Sequence, residues 1–187
     1  GVPAGAYGAT RRGRVADYLV SILTQVGLAI PHFWLGILLI LLFSMRWQLL
    51  PPGGFVPWSK DPWQAFLSLI LPALALASHR IAQVARITRT TMLDVLNKDY
   101  IRTGKSKGLS QRVLIYKHAL KNGLIPVVTV AGMQFAGLLA GSIVAEEVFA
   151  LPGLGRLLLQ AIGYRDLPLV QGISLFIAAV VVIINCV

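Results

Sequence analysis

The sequence is poor in charge, in acidic residues and in cysteine. Charged residues make up 13% of the 187 positions and only seven residues are acidic, whereas 56% of the positions are hydrophobic. A soluble domain has about 25% charged residues, so this composition argues against a soluble enzyme. The large apolar content also argues against disorder. The single cysteine, Cys186, excludes an intramolecular disulfide and a cysteine-cluster metal site in this chain.

The sequence also lacks the motifs of nucleotide binding and catalysis. It contains no GxxxxGK[ST], the glycine-rich loop that cradles ATP phosphates. It has no Ser/His/Asp or Cys/His arrangement, and its three histidines, His32, His79 and His118, are far apart. Packing or interface roles explain these histidines more simply than metal binding does. We therefore expect no catalytic residue, no metal site and no cofactor on this chain.

Long uncharged stretches dominate what is present. Four of them occupy residues 18–45, 62–79, 123–145 and 167–187. Each is near or above the roughly 18–20 residues that cross a bilayer as a helix. Four such runs in succession have no plausible use in water, because a water-facing helix needs a polar side. The sequence predicts an all-α integral membrane protein with four spans.

The basic residues alternate with these stretches. Residues 1–17 carry a net charge of +2, residues 46–61 of +1, residues 80–121 of +8 and residues 146–166 of −1. Cytoplasmic segments of membrane proteins are enriched in Lys and Arg. The pattern therefore predicts that the first and third of these segments lie in the cytoplasm and the other two outside.

The second span is expected to continue beyond the membrane, to about residue 97. No Gly or Pro occurs from Ala73 to Thr103, which predicts a continuous helix of about 45 Å at 1.5 Å per residue. It would leave the membrane near Arg80. Its predicted apolar stripe consists of Ile81, Val84, Ala85, Met92, Val95 and Leu96.

Proline and glycine mark special positions within the spans. Pro31 lies inside the first span and predicts a kink, because proline removes a backbone donor. In the third span, Gly137 and Gly141 form a GxxxG pattern, and Gly132 precedes them. Small residues let helices approach closely in lipid, but they also line pathways. Both interpretations stay open.

The basic segment at residues 98–122 predicts two helices joined by a tight turn. Gly108 is suited to end the first helix, because glycine adopts the left-handed conformation readily. Ser110 is suited to cap the second helix through its hydroxyl. This pattern is compatible with a DNA-binding helix-turn-helix or with a docking element for a cytoplasmic protein. Thr103 and Lys117 fall where the DNA-binding unit buries apolar groups, which favours docking.

The segment also resembles a known family. It carries Tyr100, Arg102, Thr103, Lys107, Gly108, Leu109 and Ser110, followed by His118, Ala119, Leu120, Asn122, Leu124, Ile125 and Pro126. This series resembles the EAA loop of inner-membrane permease subunits of binding-protein-dependent ABC importers, most closely the peptide/nickel branch. The segment departs from that branch at Gly104, where the branch has Ala, and at Lys121, where it has Arg. Gly104 is expected to loosen the first short helix.

The resemblance extends over nearly the whole chain. Glu146 to Gly155, with Pro152 and Gly153, is similar to the stretch that precedes the last span in this family. Arg165 to Gly172 is similar to the family sequence at the start of that span. The opening GVPAG is similar to the end of a preceding family helix. Family members usually begin with another helix and an external region, so the chain is expected to be a fragment.

The resemblance implies a type I ABC importer transmembrane domain in a bacterial or archaeal inner membrane. Its partners would be a second permease subunit, two cytoplasmic ATPase subunits that hold ATP and Mg²⁺, and an external solute-binding protein. Nucleic acid is not an expected partner. The residues expected to couple to the ATPases are Tyr100, Arg102, Thr103, Gly104, Lys107, Gly108, Leu109, Ser110 and His118. The substrate would be a peptide or a similar small solute, moved by alternating access.

Two alternative functions and two questions about individual residues remain open on the sequence. A secondary transporter or channel is the main rival, but it would place paired acids inside its spans, and no predicted span has one in its middle. A membrane-tethered DNA-binding protein is more remote.

At the outer end of the third span, Glu146 and Glu147 are either functional acids near membrane depth or a helix end that caps the Pro152–Gly153 turn. The basic residues of the loop serve either docking or topology and lipid contact.

Overall fold

The structure, a computed structural model, describes residues 1–186, without the side chains of Phe135, Ala136, Leu139, Ala140, Asn185 and Cys186. Over this range it contains helices and no strand. The α-helices are α1 (Val2–Thr10), α2 (Val15–Ala29), α3 (His32–Leu39), α4 (Pro62–Leu96), α5 (Asp99–Ser106), α6 (Gln111–Val113), α7 (Leu120–Val148), α8 (Leu154–Gly163) and α9 (Leu167–Cys186). Two π-helical segments, Ile40–Arg46 and Leu114–Ala119, continue α3 and α6.

Within the described residues, two helices are long and apolar enough to cross a membrane: α4 and, over Leu167–Ile184, α9. The pair formed by α2 and the helix His32–Arg46 qualifies as one broken span. Pro31 lies at this break, with an extended backbone (φ −61°, ψ 137°), so the expected kink is a full interruption of the helix. The predicted third span, residues 123–145, lies within α7 but includes side chains outside the described residues.

The continuous helix predicted through Thr103 is wrong at its end. Helix α4 stops at Leu96, and Lys98 adopts an extended conformation (ψ 148°) before α5 begins. The stripe predicted on α4 is partly correct, since Ala85 and Met92 are fully buried and Val84, Val95 and Leu96 half-buried. Ile81 is exposed, so it does not belong to the buried face.

The described chain divides into two compact units. The first, called unit 1, consists of Gly1–Ala29 and His79–Gly132, and the second, unit 2, of Ile30–Ser78 and Met133–Val187. In unit 1, α1 packs closely on α4. A Cβ at Gly5 would collide with the carbonyl oxygen of Ala85 and come within 2.8 Å of the Thr88 Cβ. Glycine at this position therefore lets the two helix backbones meet.

Phe149 forms the centre of unit 2. Its side chain is 1% exposed and clusters with Leu71 and Ala75 of α4. Its carbonyl oxygen accepts a hydrogen bond of 2.8 Å from the Gly54 N–H. A Cβ at Gly36 would lie 3.0 Å from the phenyl ring, so a glycine of α3 makes room for it. One aromatic residue thus joins α3, α4 and the loop after residue 46.

Candidate functional site

We call residues 98–122 the coupling segment, after the role that the resemblance implies for them. Helix α5 ends at Ser106, and Gly108 adopts a left-handed conformation with φ of +80°. The Gly108 N–H donates to the Lys105 carbonyl at 3.0 Å, and the Leu109 N–H donates to the Gly104 carbonyl at 3.2 Å. These bonds satisfy carbonyls at the end of α5, as in the common glycine-terminated helix. The glycine stop expected from the sequence is therefore confirmed.

The expected cap at Ser110 is only half correct. Ser110 occupies the N-cap position of α6 with an extended backbone, but its hydroxyl makes no capping hydrogen bond. The side chain is exposed, so water can satisfy the free N–H groups of the first turn instead. From Gln111 onward the chain stays helical to Val148, changing to a π-helical segment at Leu114. Such π turns are frequent at functional sites.

Gly104 is a packing position rather than a loose point of α5. It is buried, and a Cβ there would lie 2.8 Å from Leu114 Cδ2 and 3.4 Å from Leu109 Cδ1. The absent side chain lets the helix that follows the turn close onto α5. This contact offsets the loss of helix propensity that the sequence predicted.

The inner face of the coupling segment is anchored in a small apolar core. Ile101 and Ala119 are buried together with Met92 of α4 and Ala9 of α1. Next to this core, the Thr91 hydroxyl donates to the Gly123 carbonyl at 2.9 Å. The segment therefore rests on α1, α4 and the start of α7 through buried contacts and a hydrogen bond.

The outer face carries most of the residues singled out in the sequence. The exposed ones are Tyr100, Arg102, Thr103, Lys107, Gly108, Leu109 and Ser110, whereas His118 is half-buried. Asn122 donates a 3.0 Å hydrogen bond to the Tyr100 hydroxyl and ties the two ends of the segment together. Arg102 lies 3.8 Å from Asp99, but both side chains are largely exposed and the pair adds little stability.

A cleft of about 300 Å³ opens between the two helices of the coupling segment and α1. Its wall is mostly apolar, and Lys105 and Gln111 provide polar groups. The lining residues are Thr10, Leu96, Ile101, Lys105, Leu109, Gln111, Leu114 and Ile115. The cleft lies beside exposed Leu109 and is suited to an apolar side chain flanked by a group that pairs with an ammonium.

Sequence reasoning missed an ion pair between Asp17 and Arg89. The Arg89 guanidinium meets the Asp17 carboxylate in two hydrogen bonds, Nε to Oδ1 at 2.6 Å and Nη2 to Oδ2 at 3.0 Å. The Gly13 N–H also donates to Oδ2, at 3.1 Å. Asp17 is 5% exposed. The pair fastens the turn between α1 and α2 to α4, which carries the coupling segment. The only signal in the sequence is that Asp17 is the single acid among the first 60 residues.

Glu146 acts as a cap for the helix that follows it in sequence. Its Oε2 accepts hydrogen bonds from the N–H groups of Gly155 at 2.8 Å and Arg156 at 3.1 Å, in the first turn of α8. A Cβ at Gly153 would collide with this carboxylate, and one at Gly155 would come within 2.5 Å of the Ile143 Cα. Of the two interpretations, the geometry therefore supports the cap and the turn at Pro152–Gly153.

Replacing Glu146 with alanine should destabilise the protein by about 1–2 kcal/mol, because two N–H groups of α8 would lose their acceptor. The measurement is the apparent melting temperature of the detergent-purified protein. Glu147→Ala is the matched control. The Glu147 carboxylate is 54% exposed and comes no closer than 3.8 Å to the Arg156 Nε, so its loss should cost little. Equal melting temperatures of the Glu146→Ala and Glu147→Ala variants would refute the capping role.

The remaining candidates are not brought together. Among the described residues, an added Cβ at Gly132 would have no neighbour within 4 Å, and one at Gly141 would meet Leu76 Cδ2 at 3.6 Å. Gly137 is half-buried on the same helix. Nothing in the described part of the chain separates packing from a pathway for these three. The described side chains also include no group of three or more His, Cys, Asp or Glu placed to hold a metal ion.

Comparison with known proteins identifies close relatives. Residues 1–187 match the family described as binding-protein-dependent transport system inner membrane component. The chain is 46% identical over 185 residues to a putative peptide transport system permease protein of Brucella suis biovar 1, covering 99% of this chain and 59% of that protein. It is 39% identical over 208 residues to the dipeptide transport system permease protein DppB of Escherichia coli K12, covering 99% of this chain and 61% of DppB. The chain thus spans about three fifths of the length of these relatives.

Proposed function

Because this chain belongs to the family of binding-protein-dependent transport system inner membrane components, we propose that it is the membrane-embedded part of a permease subunit in an ATP-driven peptide importer. Several of its relatives carry names that specify peptide or dipeptide transport, which supports peptides as the substrate class. The proposed location is the inner membrane of a bacterium or archaeon. The proposed partners are a second permease subunit, two cytoplasmic ATPase subunits and an external solute-binding protein.

The observation that carries the proposal is the two-sided construction of the coupling segment. Its inner face is buried against α1, α4 and α7, with Ile101 and Ala119 in the core. Its outer face leaves Tyr100 and Leu109 in contact with solvent, although both are large and apolar enough to favour burial. An interface anchor has this character, because a few desolvated aromatic and apolar residues supply most of the binding energy.

The charge of the coupling segment also supports its assignment as the docking surface. The coupling segment has seven Lys and Arg residues, and Asp99 is its single acid. Such an excess suits a partner with an acidic rim and speeds encounter with it. It also agrees with a cytoplasmic position under the positive-inside rule. The energy for transport would come from ATP and Mg²⁺ bound on the ATPase subunits.

In the proposed mechanism, closure of the ATPase pair pushes on the coupling segment. The buried contacts of Ile101 and Ala119 pass the displacement to α4 and α7, which are single helices of 35 and 29 residues. These two helices connect the segment to the apolar stretches of the chain. Alternating access then follows from movement of whole helices rather than from chemistry on this chain.

Leu109→Asp should weaken association with the ATPase subunits at least about tenfold, because a charge would enter the centre of an apolar contact. The measurement is the amount of ATPase that co-purifies with the complete permease, together with peptide uptake by cells. Leu49→Asp is the control, since Leu49 is also exposed but lies in the loop that the charge pattern assigns to the other side of the membrane.

Normal ATPase association and uptake in the Leu109→Asp variant would refute the docking assignment. Equal loss in the Leu49→Asp variant would do the same, because the effect would then follow from any added charge. Membrane insertion of both variants is verified by their yield in the membrane fraction.

A further inference from the structure

A second surface of unit 1 lies on the face of α1 that borders the π-helical segment Leu114–Ala119. There, α1 and the chain from Ile115 to Leu120 form the walls of an open groove of about 360 Å³. Its lining is predominantly apolar and consists of Val2, Pro3, Ala6, Tyr7, Thr10, Ile115, Tyr116 and Leu120. The Thr10 hydroxyl is already used, since it donates to the Tyr7 carbonyl at 2.9 Å. The groove therefore offers mainly hydrocarbon and two phenol rings to an occupant.

One end of this groove is strongly basic. Arg11, Arg12 and Arg14 follow directly on α1 and are all exposed. The Arg11 guanidinium carbon lies 4.6 Å from the centre of the Tyr7 ring, so a cation is held at the margin of the groove. In the described part of the chain none of the three forms a salt bridge within 4.0 Å, although Arg12 is near enough to Asp17 to act on its carboxylate electrostatically.

We propose that this groove binds an anionic phospholipid, with an acyl chain between α1 and Leu120 and the phosphate at Arg11. Charge complementarity favours this occupant, because three exposed arginines, none of them in a close salt bridge within the described chain, match a lipid phosphate. The two tyrosines agree with it, since Tyr7 is 47% and Tyr116 68% exposed, and such rings favour the headgroup level. The proposal does not require ATPase docking, because the arginines and α1 lie outside the coupling segment, which contributes Ile115, Tyr116 and Leu120 to the groove.

The proposed site would fix a lipid against both α1 and the coupling segment. Ile115 lines this groove and also the cleft beside Leu109. A bound acyl chain would therefore contact Ile115, which also lines the cleft beside Leu109, a residue that the proposed function places against the ATPase. Through Ile115, binding of an anionic lipid could then alter the docking surface and with it transport.

The test uses the complete permease complex, purified in mild detergent and incubated with equal amounts of phosphatidylglycerol and phosphatidylcholine. Native mass spectrometry measures the lipid that remains bound. We expect a preference for phosphatidylglycerol that falls about fivefold in Arg11→Gln. This is the factor in affinity that one basic residue near a lipid surface contributes. Ala6→Phe, which fills the groove, should reduce both lipids. Arg46→Gln is the matched control, because Arg46 is exposed but lies in unit 2.

Cross-linking keeps the test independent of variant folding. A photoreactive benzoylphenylalanine replaces Tyr116 in the otherwise unchanged complex, and we expect a phospholipid adduct in membranes that contain phosphatidylglycerol. A cross-link to a protein segment would overturn the proposal, since a chain would then fill the groove. Equal retention of phosphatidylglycerol in Arg11→Gln and the unchanged complex would also overturn it, as would an equal loss in Arg46→Gln.

Discussion

Asp17→Ala should lower the stability of the protein by about 3 kcal/mol, because it leaves the Arg89 guanidinium without its bidentate partner. Fully buried pairs lose about 3–5 kcal/mol when one member is removed. Arg89 is 28% exposed, and water reaching it moves the expectation to the lower end of that range. The Gly13 N–H would lose its acceptor as well. The measurement is the apparent melting temperature of the purified protein.

The Asp17→Ala result has two controls. Asp99→Asn removes the carboxylate of an exposed pair that spans 3.8 Å, and it should leave the melting temperature unchanged. The double variant Asp17→Asn with Arg89→Gln removes both charges, and it should be more stable than Asp17→Ala because no unpaired charge remains. A melting temperature for Asp17→Ala equal to that of the unchanged protein would show that the pair does not hold α2 to α4.

Phe149→Ala should destabilise the protein by about 3–5 kcal/mol, since it empties the centre of the unit 2 core. The side chain is 1% exposed and touches the cluster of Leu71 and Ala75, with Leu39, Ile40 and Phe43 packed around it. Membrane yield and melting temperature provide the measurement. Phe149→Leu should recover part of the loss, because it refills some of the cavity.

The matched control for Phe149 is Phe176→Ala. Phe176 of α9 is 56% exposed, so its removal opens no cavity within the chain. Equal losses in the two variants would contradict the role of Phe149, since the effect would then follow from aromatic content rather than from position. A loss confined to Phe149→Ala would support the packing of α3, α4 and the loop that carries Gly54 around this residue.

Much of the helical architecture could be read from local signals. Pro31 and Gly108 mark real interruptions, because their backbone preferences act whatever the neighbours are. Signals that depend on a contact were less reliable. Ser110 has the correct position but no capping bond, and α4 ends at Leu96 although no Gly or Pro occurs from Ala73 to Thr103.

The face of a helix that becomes buried could be predicted only in part. Helical spacing grouped Ile81 with Ala85 and Met92, yet Ile81 is exposed. Periodicity identifies residues that share a face, but the position of neighbouring helices sets where that face stops being covered. Gly104 illustrates the same point, since helix propensity predicted a loose helix and the contact with Leu114 explains the glycine.

The sequence by itself determined the membrane class, the basic character of residues 98–122 and the glycine turn within them, because each depends on composition or on the backbone preference of one residue. Tertiary structure alone decided the partners of Asp17 and Glu146 and the central place of Phe149. Asp17 and Arg89 are 72 residues apart, and only the packing of α1 and α2 on α4 brings them within hydrogen-bonding distance. A carboxylate carries the same charge wherever it stands in a sequence, and its role follows from the groups that the fold places around it.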